Sequence, residues 1–289
     1  MNYRHAYHAG NFADVVKHAV LVRIVDYLKR KDKPFRVIDT HAGAGVYDLA
    51  ADEADRTGEW RGGIRRLFEA EIDPEAATLL APYLAAVTAL NAAEPLRFYP
   101  GSPVIVRQML RGRDRLTAIE LHPEDAFALR SRFAADFQAR VITLDGWLAL
   151  GAHVPPKEKR GLVLVDPPFE REGEFDRIVD GLAKAHKRWP GGIYALWYPI
   201  KDHEAVARFR ARLGATGIGR ISDFWVLIRP PSPEPRLDGC GMIVVNPPHV
   251  LAEEMRTVLA ALAPLLADRG GALWRIETIA GEAGSGAAG

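Results

Sequence analysis

Short runs of β-branched and aliphatic residues alternate with longer helical stretches along this 289-residue chain, and that alternation leaves few folds open. Strand patterns are read at Phe35–Asp39, Leu116–Leu121, Arg140–Leu144, Leu162–Asp166, Ile193–Tyr198, Phe224–Ile228, Met242–Val245 and, last, Ala272–Glu277. Apolar residues at helical spacing lie between or beside them, over Asn11–Lys31, Pro123–Phe137, Phe175–Arg188, Asp202–Leu213 and Leu251–Leu266. Such alternation predicts an α/β fold with a mostly parallel sheet covered on both faces. Ligands of such sheets bind beyond the carboxyl ends of the strands, so the residue after each strand is where chemistry is expected. Tyr47–Asn91 is rich in Ala, Leu, Glu and Arg without β-branched runs, and is read as a helical insertion over about 47–98 in a single domain spanning 1–280.

Composition excludes several classes. The single cysteine, Cys240, permits neither an intramolecular disulfide nor a zinc knuckle. The polar start, Met1-Asn2-Tyr3-Arg4-His5, lacks a signal-peptide core, and no stretch approaches the roughly 20 apolar residues of a membrane span. A cytoplasmic, membrane-free protein is expected, with 281–289 as a flexible Gly/Ala tail. The net charge of +1 does not mark a nucleic-acid binder, so any grip on phosphates must come from local clusters. These lie at Lys29–Lys33 with Arg36, at Arg61, Arg65 and Arg66, at Arg107–Arg115 and at Lys157–Arg160, where solvated faces are the commoner explanation.

The first strand runs into Asp39-Thr40-His41-Ala42-Gly43-Ala44-Gly45. Its glycines allow a tight turn and close ligand approach, or a plain strand-to-helix connection. In the dinucleotide fingerprint a third glycine would follow where Asp48 stands, and a carboxylate suits a pyrophosphate badly. A cofactor without phosphates, such as S-adenosylmethionine, fits better. Glu120 ends the second strand, where an acidic side chain can accept from both ribose hydroxyls or simply be solvated. Asp145-Gly146 follows the third, placed to meet an adenine edge or to make an ordinary turn.

The fourth strand carries the sharpest signal, Leu162-Val163-Leu164-Val165-Asp166-Pro167-Pro168-Phe169. Two prolines forfeit two backbone donors, fix φ near −65° and push Asp166 into an extended conformation. A stiff corner of this kind aims the Asp166 carboxylate and the Pro167 carbonyl together, with an aromatic face beside them. The exocyclic amine of adenine is a poor nucleophile because its lone pair is delocalised. Two acceptors on its hydrogens would localise that pair, while Phe169 stacks the flipped base. A similar Asn246-Pro247-Pro248-His249 follows a much later strand and is read as a strand terminus with a proline stop.

In their order along the chain, these strand-end motifs resemble a class I, Rossmann-like methyltransferase. A closer resemblance is to the bacterial 23S ribosomal RNA adenine-N6 methyltransferase J family, carried by Tyr3–Asn11, Asp14–His18, Asp39–Gly45, Tyr99–Pro103, Glu120–Pro123, Asp166–Pro168, Gly192–Pro199 and Gly241–Pro248. The resemblance implies S-adenosyl-L-methionine held by His18, His41, Gly43, Ser102, Glu120, Asp145, Gly146 and Asp166. It implies catalysis at Asp166 with Pro167 and Phe169, and contact of Tyr3, Arg4 and Phe169 with 23S ribosomal RNA. The family motif usually ends in Tyr where Phe169 stands, so the stacking face is kept and the phenol lost. No metal is expected, since neither His18 nor His41 pairs with another ligand at metal spacing, and a monomer is expected. The competing readings are a DNA adenine-N6 methyltransferase, which shares the Asp-Pro-Pro-aromatic corner, and a non-catalytic RNA-binding relic.

Overall fold

A computed structural model of the chain describes residues 5–92, 96–232, 236–268 and 271–282. Tyr3, Arg4 and residues 283–289 of the expected tail lie outside them. A 3-10 turn at His5–Tyr7 leads into α1 (Phe12–Lys29) and β1 (Arg36–Asp39). Then come β2 (Val46–Asp48), α2 (Asp52–Thr57), α3 (Ile64–Glu69), α4 (Pro74–Leu90), β3 (Phe98–Pro100), α5 (Ser102–Met109) and β4 (Arg115–Glu120). The chain continues through α6 (Pro123–Arg132), β5 (Ala139–Thr143), α7 (Gly146–Ala152), β6 (Gly161–Val165), α8 (Glu174–Arg188) and β7 (Ile193–Ile200). It closes with α9 (His203–Gly214), β8 (Ile221–Leu227), β9 (Gly239–Val245), α10 (Leu251–Leu266) and β10 (Leu273–Ala280).

Eight strands form one sheet in the order β10-β8-β9-β7-β6-β1-β4-β5. Pairing is parallel from β5 to β7 and antiparallel across β7-β9-β8-β10. Alternate side chains of each strand enter opposite cores, as the two-residue pleat requires. Val37, Leu162 and Leu164 face α1, α5 and α10, whereas Ile38, Val163 and Val165 face α7, α8 and α9. All five β6 residues are buried, which is why that strand reads as a continuous apolar run. Each of its four Leu and Val side chains contributes about 1.5–3 kcal/mol on burial.

Two sequence expectations change here, both at Asp48. Tyr47 and Asp48 are not helical: β2 pairs antiparallel with β3, with Val46 opposite Pro100, and this ribbon brackets the helices α2 to α4. Asp48 is bound by Arg97 at 2.9 Å and takes no part in lining the cleft, so the argument from its charge against a pyrophosphate does not operate. The Asn246 corner follows an antiparallel strand. Val245 lies opposite Tyr194 near the start of β7, which puts Asn246 at the end of the strands opposite to Asp166. There the Asn246 amide donates to the carbonyls of Pro190 and Gly192. It is a strand terminus.

Candidate active site

β1 sits between β4 and β6, and the chain leaves it in one direction to β4 and β5 and returns on the other side to β6 and β7. Where the strand order reverses, the loops after β1, β4, β5 and β6 diverge and open a cleft. His18, His41, Gly43, Ser102, Glu120, Asp145, Gly146 and Asp166, far apart in sequence, all line this one cleft of about 1050 Å³, part of it open to solvent.

Each loop is shaped by its own backbone bonds. Gly43 turns at φ +64°, a conformation that L side chains disfavour, and its N–H donates to Glu120 at 2.8 Å. The other Glu120 oxygen accepts from the His122 N–H at 2.6 Å, which leaves both oxygens with spare lone pairs toward the cleft. Burial raises the Glu120 carboxyl above its ordinary value against those two bonds. Asp145 caps α7, accepting from the Trp147 N–H at 2.8 Å, and its second oxygen stands 4.0 Å from Arg177. Gly146 is pinned against β1, since a Cβ there would sit 2.3 Å from the Thr40 carbonyl oxygen. Ser102 spends its proton on the buried Asp39 at 2.6 Å, and burial lifts the Asp39 carboxyl to about 7. Burial likewise lowers the His41 imidazole to about 4, so the ring is neutral.

Asp166 follows β6, with Pro167 buried behind it and Pro168 half-buried beside it. Phe169 then adopts φ +52°, a left-handed conformation costly for an aromatic residue. Strain at this corner turns the ring away from the first cleft. Phe169 packs edge-on against Phe175 at 5.1 Å and Trp197 at 5.7 Å, and lines a second cleft of about 530 Å³ with Trp197, Pro199 and Lys201. Asp166 and Pro168 line both clefts, so the corner is the wall between them.

Sequence reasoning missed Lys17. Asp14, Lys17 and His18 fall at i, i+3 and i+4 and share one side of α1. That helix is not amphipathic: fifteen of its 18 residues are buried, His18 included. Lys17 bonds to Asp14 at 2.7 Å and to Asp166, with its side chain only 5% exposed. Burial opposes its charge, but the two carboxylates outweigh this and hold the ammonium well above its ordinary value. Asp14 also accepts from the Gly10 N–H and bonds to His5. A signal existed, an Asp-x-x-Lys-His pattern inside an otherwise apolar helix, where buried charges must be paired.

The basic clusters are largely committed within the fold. Arg36 pairs with Glu158, Arg61 with Asp55, Arg65 with Glu69, Arg107 with Asp136 and Arg113 with Asp32, while Arg66 and Arg111 bond to backbone carbonyls. Among the described residues no group of three or more His, Cys, Asp or Glu could hold a metal ion, and no helix is long and apolar enough to cross a membrane.

The first cleft suits a cationic, nucleoside-containing cofactor. Glu120, Asp125, Asp145 and Asp166 make its lining acidic, and His18 presents a buried ring nitrogen, Nε2, with no partner among the described residues. Topology, cleft position and lining together define a class I, S-adenosylmethionine-dependent methyltransferase. Residues 32–279 match the family described as "Ribosomal RNA large subunit methyltransferase D, RlmJ", and the chain belongs to that family. It is 44% identical to the ribosomal RNA large subunit methyltransferase J of Escherichia coli over 93% of this chain and 95% of that one. With the protein of the same name from Haemophilus influenzae the identity is 40% over 98% and 100% of the two chains. The crystal structure of a Legionella pneumophila protein superposes with a TM-score of 0.85 at 32% identity, covering 94% of this chain and 98% of the other.

Proposed function

We propose that the protein methylates the exocyclic N6 of an adenine in 23S ribosomal RNA, with the first cleft holding S-adenosylmethionine and the second the flipped target base. The observation that carries this reading is the shared wall: Asp166 and Pro168 line both clefts, so a group in one faces a group in the other across a single corner.

The cofactor, when bound, supplies an electrophilic methyl on its sulfonium. Glu120 accepts from the ribose hydroxyls, Asp145 from the adenine amino group, and the Gly146 N–H donates to a ring nitrogen. Order in the sheet supports that assignment. β5, β4, β1 and β6 lie side by side, an order that agrees with the adenine end at Asp145, the ribose at Glu120 and the methionyl end toward Ser102, His18 and Asp166. Asp166 and the Pro167 carbonyl accept the two amine hydrogens of the target base and steer its lone pair toward the methyl. Lys17 positions the Asp166 carboxylate. Phe169 and Trp197 enclose the base by aromatic contact, and Tyr3 and Arg4 engage the RNA around it. Positioning governs the rate, because charge is neutralised as transfer proceeds.

The chain acts as one domain over residues 1–280, with the helices between β2 and β3 as a small subdomain, and as a monomer. A flipped or single-stranded adenine is required because the amine is out of reach in a stacked pair. The test is methyl transfer to protein-free 23S ribosomal RNA and to duplex DNA, followed by nucleoside mass spectrometry. N6-methyladenosine in the RNA is expected. A preference for DNA, or methylation at another atom, overturns the proposal.

A further inference from the structure

His18 lies at the methionyl end of the first cleft and is fully buried. Its Nδ1 meets the Tyr99 hydroxyl at 2.7 Å, and that hydroxyl meets the Tyr83 hydroxyl at 2.8 Å. Tyr83 belongs to α4 between the two ribbon strands, and Tyr99 to β3, so a line of three polar groups runs from the helical insertion to the cleft. Among the described residues no other hydrogen bond reaches either hydroxyl, and His18 Nε2 has none.

Proton counting decides how this line is wired. Burial and the nearby Lys17 charge drive the His18 imidazole well below its ordinary value, so it carries one ring proton. Burial keeps both phenols protonated, so each hydroxyl has one hydrogen to place. If Nδ1 carried the imidazole proton, it would donate to Tyr99. Tyr99 would then donate to Tyr83 and leave the Tyr83 hydrogen without an acceptor, or Tyr83 would donate to Tyr99 and leave the Tyr99 hydrogen stranded. Either way a phenol hydrogen is stranded in the core and the Nε2 lone pair is unmet as well, two buried polar sites against the single Nε2–H left by the reverse order. In the reverse order Tyr83 donates to Tyr99, Tyr99 donates to Nδ1, and every phenol hydrogen is satisfied. The imidazole proton then sits on Nε2, facing the cleft.

We infer that the Tyr83–Tyr99 relay locks His18 as the Nε2–H tautomer, a neutral donor for the α-carboxylate of the methionyl group, and so ties cofactor affinity to the helical insertion. The inference rests on the cofactor site proposed above. At that end of the cofactor the carboxylate is the strong acceptor, since the ammonium has no lone pair, the positive charge of the sulfonium makes its sulfur a negligible acceptor, and the ribose hydroxyls lie toward Glu120. Tyr83 and Tyr99 are positioning residues, acting only through His18.

Two measurements test this. Long-range 15N–1H spectra of the ligand-free protein, assigned with a His18→Gln variant, report which ring nitrogen is protonated; Nε2 is expected, and protonation at Nδ1 overturns the inference. Calorimetry then compares S-adenosylmethionine with its decarboxylated analogue on wild type, Tyr99→Phe and Tyr83→Phe. Tyr99→Phe is expected to weaken S-adenosylmethionine about ten-fold and the analogue less than two-fold, with Tyr83→Phe having a smaller effect of the same selectivity. Equal weakening of both ligands overturns the carboxylate assignment. A wild type that binds neither ligand refutes the cofactor site itself, while the spectra still report the tautomer. Should Tyr99→Phe fail to fold, Tyr83→Phe and the wild-type spectra decide.

Discussion

Replacing Lys17 by Met keeps most of the side-chain volume and removes the one cation bonded to both Asp14 and Asp166. Asp14 retains the Gly10 N–H at 2.8 Å and His5 at 3.0 Å, whereas Asp166 loses the one hydrogen-bond partner it has among the described residues. Breaking a buried pair by removing one partner costs about 3–5 kcal/mol, and the 14% exposure of Asp166 with the bonds remaining at Asp14 puts this case near the lower figure. A carboxylate free to swing is misplaced by about 1 Å, enough to slow a positioned reaction by about 100-fold. Urea unfolding and single-turnover methyl transfer read the two effects separately. A cycle pairing Lys17→Met with Asp166→Asn is expected to give a stability coupling of about 1–3 kcal/mol.

The pH dependence of this cluster has a defined sign. Lys17 is held above its ordinary 10.5, so its contribution is complete below that value and is lost only as pH rises through the elevated one. Burial alone would raise Asp14, but His5 and Lys17 hold it well below 3.8, so its contribution is present above 3.8 and is lost as pH falls through the depressed value. The titrations of Lys17 and Asp14 themselves therefore add no slope to the Lys17→Met deficit between about pH 5 and 9. A slope there comes from Asp39, whose carboxyl burial lifts to about 7 against the lowering effect of the Lys17 charge. A variant that transfers methyl within three-fold of wild type, or shows no coupling to Asp166, refutes the positioning role.

Other perturbations reach different parts of the site. Asp39 has its carboxyl raised from 3.8 to about 7 by burial, so its share of stability is complete below pH 3.8 and lost as pH rises through 7. Asp39→Asn should remove a loss of at most about 4 kcal/mol over that window, seen as a gain relative to wild type in unfolding at pH 8 over pH 4. Gly146→Ala drives a Cβ into the Thr40 carbonyl and the His41 ring, and is expected to lower stability by about 1–3 kcal/mol and to weaken cofactor binding, as thermal melting and calorimetry would record. Phe169→Ala should slow methyl transfer by about ten- to a hundred-fold through lost stacking, while Phe169→Tyr is tolerated; the ratio of the two rates is the readout.

The parts of the fold that were legible in the sequence share one property: local pattern and tertiary role agree. β6 is buried on both faces and reads as an unbroken apolar run, and Asp166-Pro167-Pro168 follows it because prolines end a strand where a rigid corner is needed. The β2–β3 ribbon was illegible because each strand has three residues and Val46 finds its partner only at Pro100. Lys17 was hidden for a related reason. α1 is wrapped by protein on nearly all sides, so no polar face stands out, and its charges answer to Asp166, 149 residues away. The Asn246 corner resembled the Asp166 corner in sequence, and what separates them is strand direction, a property of the sheet as a whole. Gly43, Glu120 and Asp145 were readable as strand ends, but the bond from the Gly43 N–H to Glu120 that joins two of those loops was not.

The central claim is that Asp166 activates the amine, a role separate from its share in holding the cofactor. Single-turnover methyl transfer by Asp166→Ala, with cofactor bound at saturation as checked by calorimetry, tests it most directly. The expected result is loss of transfer with a cofactor complex still formed; transfer at the wild-type rate from that complex would contradict the account.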